Sequence, residues 1–162
     1  MTTSSKGGLT HTDSRGHARM VDVSGKPLTK RVAVAEGRIR IGEKASVLVA
    51  EGSAPKGDVA AAARIAAILA VKRTPELIPL CHVVGIDSVQ VDVDLDGCDM
   101  TVRCTVSGTD RTGFEMEALT GVSVGLLVIY DMLKAVDREM HIEAVRLIRK
   151  EGGKSGIYEA PY

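Results

Sequence analysis

The stretch IDSVQVDVDLDGCDMTVRCTVSG, residues 86–108, decides the fold. Apolar and polar residues alternate on both sides of the Asp96-Gly97 pair, and this period of two is that of a half-buried β-strand. An Asp-Gly pair between two such runs is a strong signal for a tight turn, although the flanking LDGCD leaves its register open. The stretch therefore predicts a β-hairpin.

Outward from the hairpin, the sequence predicts two more strands and two long helices. TKRVAVAEGRIRI (29–41) and MHIEAVRLIRK (140–150) alternate like the hairpin strands. VAAAARIAAILAVKR (59–73) and FEMEALTGVSVGLLVIYDMLKAV (114–136) have helical spacing and length. The resulting order, β-α-β-β-α-β, predicts an α+β, ferredoxin-like fold, an antiparallel sheet with helices packed on one face.

Smaller features complete this prediction. Asp58 is well placed to cap the first long helix, and Thr74-Pro75 to stop it. GEKASVLVAEG (42–52) can form a brief helix, and MVDVS (20–24) a short extra strand.

The length suits a single domain. The chain has 162 residues, of which 44% are hydrophobic, so one core of ordinary size can form. We expect that domain over residues 17–162. Residues 1–16 are small and polar without periodicity, and we expect a flexible N-terminal arm there.

The composition excludes several classes of function. Lys plus Arg and Asp plus Glu each number 21, so any anion site must be local. Only 2% of the residues are aromatic, which argues against reading single-stranded nucleic acid. No apolar run reaches the length of a membrane span, and the N-terminus lacks a signal-peptide core. We therefore expect a cytoplasmic protein with neither a nucleic acid nor a membrane as partner.

Asp131 and Lys134 form a charged pair on the second long helix. They lie on one side of this helix, in a stripe that also contains Thr120, Ser123 and Leu127. An ordinary exposed pair of this spacing contributes only about 0.2–0.5 kcal/mol. The apolar context VIYDMLKAV (128–136) instead predicts that the stripe is covered and that the pair is partly desolvated. We hypothesise that Asp131 and Lys134 exchange protons as a catalytic pair.

Two glutamates begin the same helix. Glu115 and Glu117 lie where acidic side chains meet the positive end of the helix dipole, so capping is an adequate interpretation. They are two residues apart and point to different sides, so at most one can share a pocket with Asp131. By its angle on the helix, Glu117 is the better candidate.

Two segments offer lysines to an anion. Lys56 precedes the first long helix, where free N–H groups suit a phosphate, although an ordinary capped turn explains it as well. EGGKSG (151–156) is not a Walker motif, because Ile148 occupies the position of the first glycine. A flexible glycine loop carrying Lys154, preceded by Lys150, can still bind phosphate.

Cys81 and His82 are adjacent on a predicted extended segment, so their side chains point to opposite sides. A shared metal ion and a thiolate–imidazole pair are therefore disfavoured. Two interpretations stay open: a buried cysteine beside a hydrogen-bonded histidine, or a pocket wall in which His82 contacts a substrate. Cys98 and Cys104 lie too far apart on one strand to form a disulfide, and we expect no metal site.

Six segments between residues 20 and 156 occur in an informative order. They are MVDVS, KGDV, KRTPELIPLCH, TGFEMEALTGVSV, IYDMLKAV and GGKSG. Together they resemble the molybdenum cofactor biosynthesis C proteins, the cyclic pyranopterin monophosphate synthases; each alone is a weak match. The chain departs from the family pattern at Val83, where many members have proline, and at Phe114, where a smaller aliphatic residue is common.

The resemblance implies a lyase that converts (8S)-3′,8-cyclo-7,8-dihydroguanosine 5′-triphosphate to cyclic pyranopterin monophosphate and pyrophosphate. Asp131 and Lys134 would be its proton-transfer pair, with a lysine pKa lowered towards neutrality by burial beside other cations. Lys56 would be a further catalytic or phosphate-binding amine. The implied substrate site comprises Leu80, Cys81, His82, Glu115, Met116 and Glu117, with Lys150 and Lys154 holding the phosphates.

The resemblance also implies a homohexamer, a trimer of dimers, with the active site at a subunit interface. It implies no resident cofactor, although Mg²⁺ can accompany a triphosphate. The alternative is a non-catalytic, nucleotide-binding ferredoxin-like regulator, which would have no use for an acid–base pair. A purely structural oligomer is less well supported, because it does not explain the lysines near the two glycine-containing segments, Lys56 in KGDV and Lys150 and Lys154 at EGGKSG.

Overall fold

The computed structural model describes residues 15–161, which form an antiparallel sheet with helices on one face. Most of the arm expected over residues 1–16 therefore lies outside the described residues. In chain order the elements are β1 (Thr29–Arg40), α1 (Glu43–Ala50), α2 (Val59–Lys72), α3 (Thr74–Leu77), β2 (Ile86–Asp96), β3 (Asp99–Asp110), α4 (Glu115–Leu133), β4 (His141–Glu151) and β5 (Tyr158–Glu159).

The strands lie in the order β2-β3-β1-β4-β5, and every pairing is antiparallel. Because α2 connects β1 to β2 and α4 connects β3 to β4, this is the split βαβ arrangement. The α+β, ferredoxin-like prediction is confirmed. The edge strand β5 goes beyond the prediction, since two residues are too few to show an alternating pattern.

The hairpin predicted from residues 86–108 is confirmed, and the structure resolves its register. Asp96 pairs with Asp99, so the two turn residues are Gly97 and Cys98 rather than Asp96 and Gly97. Gly97 has a φ of 56°, a left-handed conformation that side chains with a Cβ rarely adopt.

The smaller predicted elements have mixed outcomes. The brief helix is confirmed as α1, and Asp58 caps α2 by accepting a hydrogen bond from the N–H of Ala61 at 2.9 Å. Thr74 does not simply stop α2 but begins the single turn α3. The extra strand is wrong, because residues 20–24 form a loop without strand pairing.

Helix α4 packs beside α2 on one face of the sheet, against β1, β3 and β4. Its 19 residues are long and apolar enough by composition to cross a membrane, but the predicted apolar face is buried in the core. Val122, Leu126, Ile129 and Leu133 are fully buried, which identifies α4 as the core helix of a soluble fold.

Glycine in α4 sets the distance to α2. A Cβ at Gly121 would lie 2.7 Å from Val71 Cγ2 on α2 and 3.0 Å from Cys104 Sγ on β3. Neither neighbour can withdraw, because both are fully buried in the same cluster. The close contact of α2, α4 and the sheet therefore requires residue 121 to lack a side chain.

We predict that Gly121→Val lowers the free energy of unfolding by about 1–3 kcal/mol, because extra methyl groups overpack the core. Urea denaturation measures the loss. Gly25→Ala is the matched control, since no atom lies within 4 Å of the added Cβ and its stability is expected to be unchanged. A Gly121→Val protein as stable as the parent would contradict this packing.

Candidate active site

Three charged side chains meet at the C-terminal end of α4. Asp131 Oδ1 lies 2.6 Å from Lys134 Nζ, and Asp131 Oδ2 lies 2.7 Å from Lys56 Nζ. Lys56 also donates to the backbone carbonyl of Asp131 at 2.8 Å. The packing of α2 against α4 brings Lys56, in the loop before α2, to this point. Lys56, Asp131 and Lys134, here named the Asp131 cluster, are the three predicted catalytic residues.

The Asp131 cluster is open to solvent in the single chain. The side chains of Lys56, Asp131 and Lys134 are 44%, 54% and 52% exposed. A single chain does not desolvate the pair, because Leu127 on the same stripe is also exposed and no described residue covers it, so the expected desolvation stays a prediction. The cluster can become dry only if another molecule covers it.

The pKa values in the cluster follow from its hydrogen bonds. The hydrogen bond from Lys134 and, to a smaller extent, the one from Lys56 lower the pKa of Asp131 to about 2, so this carboxylate is ionised at neutral pH. The hydrogen bond to Asp131 raises the pKa of Lys134. The expectation of a lysine pKa lowered towards neutrality is thus wrong for the single chain, where attraction to Asp131 outweighs desolvation.

A cleft of about 730 Å³ opens at the other end of α4. Its lining, here named the basic cleft, consists of Gly25, Lys26, Pro27, Thr29, Arg31, Arg111, Thr112, Gly113, Glu115, Lys150, Gly153, Lys154 and Ser155. Five of these side chains are cations, and one is a carboxylate. In a chain without net charge, any anion site must be local, and the basic cleft is a local cluster of cations of this kind.

Sequence reasoning found Lys150 and Lys154 of the basic cleft but missed Lys26, Arg31 and Arg111. Arg31 had a usable signal, because β1 has a period of two and residue 31 falls on the same face as the buried Ala33 and Ala35. A charged residue on the inward face of a strand indicates a site. Lys26 and Arg111 lie in loops, where no period marks them.

Arg31 lies directly beneath the glycine loop. Its Nε and Nη2 donate to the carbonyl oxygens of Asp110 and Arg111, both at 3.0 Å. Gly153 has a φ of 71°, and a Cβ there would collide with the Arg31 guanidinium. The loop therefore lies directly on Arg31 and directs Lys154 towards the basic cleft.

A second hollow of about 410 Å³ adjoins the basic cleft. Its lining, here named the adjoining hollow, consists of Val21, Val23, Lys26, Leu80, Cys81, His82, Thr112, Gly113, Glu115 and Met116. Lys26, Thr112, Gly113 and Glu115 belong to both. The structure thus brings five of the predicted substrate-site residues close to the two lysines predicted to hold the phosphates. The five are Leu80, Cys81, His82, Glu115 and Met116. Glu115 links the adjoining hollow to the basic cleft through a 3.0 Å ion pair with Lys150.

Cys81 and His82 diverge, as expected for neighbours on an extended backbone. Cys81 Sγ donates to Glu117 Oε1 at 3.4 Å, while His82 Nε2 lies 2.7 Å from the carbonyl oxygen of Val21. Burial, reinforced by the negative charge of Glu117, raises the pKa of the Cys81 thiol to about 11. The thiol therefore stays protonated and is no nucleophile.

Glu117 is fully buried beneath Cys81, and its Oε2 has no hydrogen-bond partner in the described chain. Burial is the main cause that raises its pKa above the ordinary value of 4.5. Within a single chain, Glu117 does not share a pocket with Asp131. Fourteen helical steps of 1.5 Å place Glu117 and Asp131 about 21 Å apart along α4.

We predict that Glu117 makes stability depend on pH. Its folded-state pKa is raised, so its contribution is present below pH 4.5 and is lost as the pH rises through the folded value. Glu117→Gln keeps the shape but cannot ionise, so its stability relative to the parent should increase as the pH rises from 4.5. Urea denaturation over that range measures the difference. A difference that is constant with pH would contradict the prediction.

Within residues 15–161, no group of three or more His, Cys, Asp or Glu side chains is arranged to hold a metal ion. The cofactor prediction stays a prediction. The charges that an anionic ligand would meet in the basic cleft come from lysine and arginine side chains.

The chain was compared with known proteins. The model of the MoaC family matches residues 20–153. Three similar proteins are each named cyclic pyranopterin monophosphate synthase. That of Novosphingobium aromaticivorans is 56% identical over 94% of this chain and 97% of its own length. Those of Thermomicrobium roseum and Pelotomaculum thermopropionicum are 55% and 54% identical, over 93% and 94% of this chain and 92% and 91% of their own lengths.

The match to the family model extends over the basic cleft apart from Lys154 and Ser155, over the adjoining hollow and over the Asp131 cluster. The relatives each match more than 90% of the chain. They confirm the resemblance inferred from the six sequence segments. The chain therefore belongs to the MoaC family.

Proposed function

We propose that this protein is a cyclic pyranopterin monophosphate synthase, a lyase of molybdenum cofactor biosynthesis. It converts (8S)-3′,8-cyclo-7,8-dihydroguanosine 5′-triphosphate to cyclic pyranopterin monophosphate and pyrophosphate. The names of relatives more than 50% identical over most of the chain support this function. The observation that carries it is the basic cleft, where five cationic side chains line a space of about 730 Å³.

The basic cleft suits the phosphorus chemistry of this reaction. A sugar hydroxyl attacks the first phosphorus, a new P–O bond forms, and the bond to the second phosphate breaks to release pyrophosphate. Negative charge develops on the departing oxygen, and fixed cations that surround it stabilise the transition state. Lys150 and Lys154, with Arg31 beneath the glycine loop, supply such cations.

The Asp131 cluster suits the proton transfers of ring opening and reclosure. Asp131 is ionised and can accept a proton, and Lys134 can donate one. In the single chain the raised pKa of Lys134 makes it a weak acid. Desolvation by a second molecule would lower that pKa, because burial disfavours the ammonium form. Efficient proton exchange therefore requires the cluster to be covered.

A second copy of the chain is the proposed cover. The Asp131 cluster and the basic cleft lie at opposite ends of α4, too far apart to act on one substrate. A two-fold axis across α4 would bring the cluster of one chain to the cleft of the other, twice per dimer. The exposed Leu127 of α4 and Ile65 and Leu69 of α2 give this helical layer apolar surface to bury. Three such dimers would make the hexamer.

The alternative is a cytoplasmic regulator that binds the nucleotide without converting it. The basic cleft would serve either function, but a regulator gives no reason for a carboxylate shared between two lysines. The site needs no resident cofactor for the steps above, and Mg²⁺ can enter with the triphosphate.

The experiment is to incubate the protein with the cyclic nucleotide and to measure pyrophosphate and the pterin product, with and without Mg²⁺. Pyrophosphate and pterin formed in equal amounts support the synthase. Bound but unchanged nucleotide would overturn it and favour the regulator. Lys150→Ala, which removes a cation from the basic cleft, should lower this activity; its charge-matched control is Lys44→Ala, whose altered residue lies on α1, outside the basic cleft.

A further inference from the structure

Asp110, the last residue of β3, has a carboxylate that is bound by backbone N–H groups. Its Oδ2 accepts a hydrogen bond from the N–H of Gly85 at 2.8 Å, and its Oδ1 accepts one from the N–H of Arg111 at 2.6 Å. Partial burial acts to raise the pKa of this carboxyl group, but hydrogen bonds from Gly85, Arg111 and Thr112 outweigh burial and hold the pKa below its ordinary value of 3.8. Asp110 is therefore ionised at neutral pH, with its charge directed at the backbone.

The Asp110 side chain continues a contact that the sheet does not. Backbone pairing of β2 with β3 ends at Ile86 and Gly108, and the ladder is already irregular between Ile86 and Ser88. Gly85 lies one residue beyond the last pair, and its N–H meets a side-chain oxygen of Asp110 instead of a strand carbonyl. The carboxylate therefore ties the chain before β2 to the end of β3.

The two segments tied in this way belong to different parts of the candidate active site. The first three residues of the segment 80–85 line the adjoining hollow. The turn of residues 111–113 lines the basic cleft, and Thr112 and Gly113 of this turn line the adjoining hollow as well. The carboxylate of Asp110 therefore joins the wall of the adjoining hollow to the boundary between the two spaces.

The turn of residues 111–113 has further contacts on the side of the basic cleft. Arg31 donates to the carbonyl oxygens of Asp110 and Arg111, both at 3.0 Å. Arg111 Nε donates in turn to the carbonyl oxygen of Lys26 at 3.2 Å. None of these three hydrogen bonds uses the carboxylate of Asp110. Its loss should therefore leave the cations of the basic cleft in place and release the wall of the adjoining hollow.

We propose that Asp110 is a positioning residue of the synthase, which fixes the wall of the adjoining hollow relative to the basic cleft through its hydrogen bond with Gly85. The phosphates of the proposed substrate belong among the cations of the basic cleft, so the rest of the molecule has to meet the adjoining hollow at the right distance. A displacement of about 1 Å within a site can cost about a hundredfold in rate. This inference rests on the proposed function. The competing interpretation is that Asp110 only stabilises the fold.

Two substitutions of Asp110 break the tie to Gly85. In Asp110→Asn, the single acceptor oxygen cannot serve both Gly85 and Arg111, and asparagine ordinarily bonds the N–H groups that follow it. In Asp110→Ser, the hydroxyl can still accept from the N–H of Thr112 but is too short to reach Gly85. Asp87→Asn is the matched control, since Asp87 is exposed on β2 and lies outside both spaces.

Two ligands distinguish positioning from stability. Inorganic pyrophosphate is small enough to lie in the basic cleft alone, whereas the cyclic nucleotide has to meet both spaces. For both variants of Asp110 we expect pyrophosphate to bind within about threefold of the parent, and kcat/KM for the cyclic nucleotide to fall by about tenfold to a hundredfold. Asp87→Asn should match the parent in both measurements.

Three other results would overturn the proposal. An unchanged kcat/KM would show that the tie to Gly85 does not affect the site. Loss of pyrophosphate binding by the same factor as kcat/KM would indicate a partly unfolded protein, as expected if Asp110 only stabilises the fold. Tighter binding of pyrophosphate together with a higher kcat/KM would show that Asp110 acts through its charge alone.

Amide hydrogen exchange tests the contact without any nucleotide. Gly85 is exposed, so slow exchange of its N–H in the parent protein has to come from the hydrogen bond to Asp110. We expect this protection in the parent and in Asp87→Asn, and its loss in Asp110→Asn and Asp110→Ser. An unprotected N–H of Gly85 in the parent would overturn the inference alone. A parent protein that releases no pyrophosphate would instead overturn the proposed function.

Discussion

Asp131→Asn is expected to lower kcat for product formation by about 10²–10⁴-fold, the usual contribution of a positioned acid or base. Asparagine keeps the shape of the side chain but cannot accept a proton. Because Lys134 and Lys56 hold the pKa of Asp131 at about 2, the carboxylate is ionised throughout the neutral range, and the loss should vary little with pH there. Steady-state formation of pyrophosphate and pterin measures it.

The matched control is Asp94→Asn, which makes the same change of charge at an exposed position on β2. It should leave kcat unchanged. Calorimetric binding of the cyclic nucleotide to Asp131→Asn should stay within about tenfold of the parent, since transition-state interactions affect kcat more than binding. A folded Asp131→Asn protein with the kcat of the parent would remove Asp131 from the mechanism.

The second large effect is recovery of activity by mixing two inactive variants. Asp131→Asn damages the Asp131 cluster, and Lys150→Ala damages the basic cleft. An oligomer of either variant alone therefore has only damaged sites. Unfolded together and refolded, half of the dimers contain one chain of each kind. One of the two sites in such a dimer joins two intact halves, so about one quarter of the parent activity should return.

A mixture of Asp131→Asn with Lys134→Ala is the matched control. Both changes lie in the Asp131 cluster, so every mixed dimer still has a damaged half in each site, and no activity should return. Native mass spectrometry of the mixtures verifies that hetero-oligomers have formed. If hetero-oligomers of Asp131→Asn with Lys150→Ala form but stay inactive, the site is not shared between chains as proposed.

The fold could be predicted from the sequence because its signals are local. The alternation over residues 86–108 and the helical spacing of 114–136 each lie within one element, and their order leaves few topologies. The pair of Asp131 and Lys134 follows from helix geometry alone. The turn could not be placed at Gly97 and Cys98 from the sequence. Two registers of the hairpin differ only in which residues of β2 and β3 face each other, and the alternating pattern does not distinguish them.

The site was harder to predict because it depends on distances between elements. Lys56 reaches Asp131 only through the packing of α2 on α4. The family resemblance gave Lys56 a catalytic or phosphate-binding role but did not predict this contact. Arg111 joins the basic cleft through the end of β3, where no pattern marks it. The exposure of the Asp131 cluster depends on what surrounds the chain, which a single sequence does not describe.

The rigidity of helix α4 limits where residues can be inserted or deleted in chains of this family. As a rigid rod, the helix sets both the separation of the Asp131 cluster and the basic cleft and their relative rotation about its axis. One inserted residue between Gly121 and Leu127 would turn one end against the other by about 100° and move it by about 1.5 Å. Insertions and deletions should therefore be excluded from this segment, while the loop over residues 51–55 can absorb them.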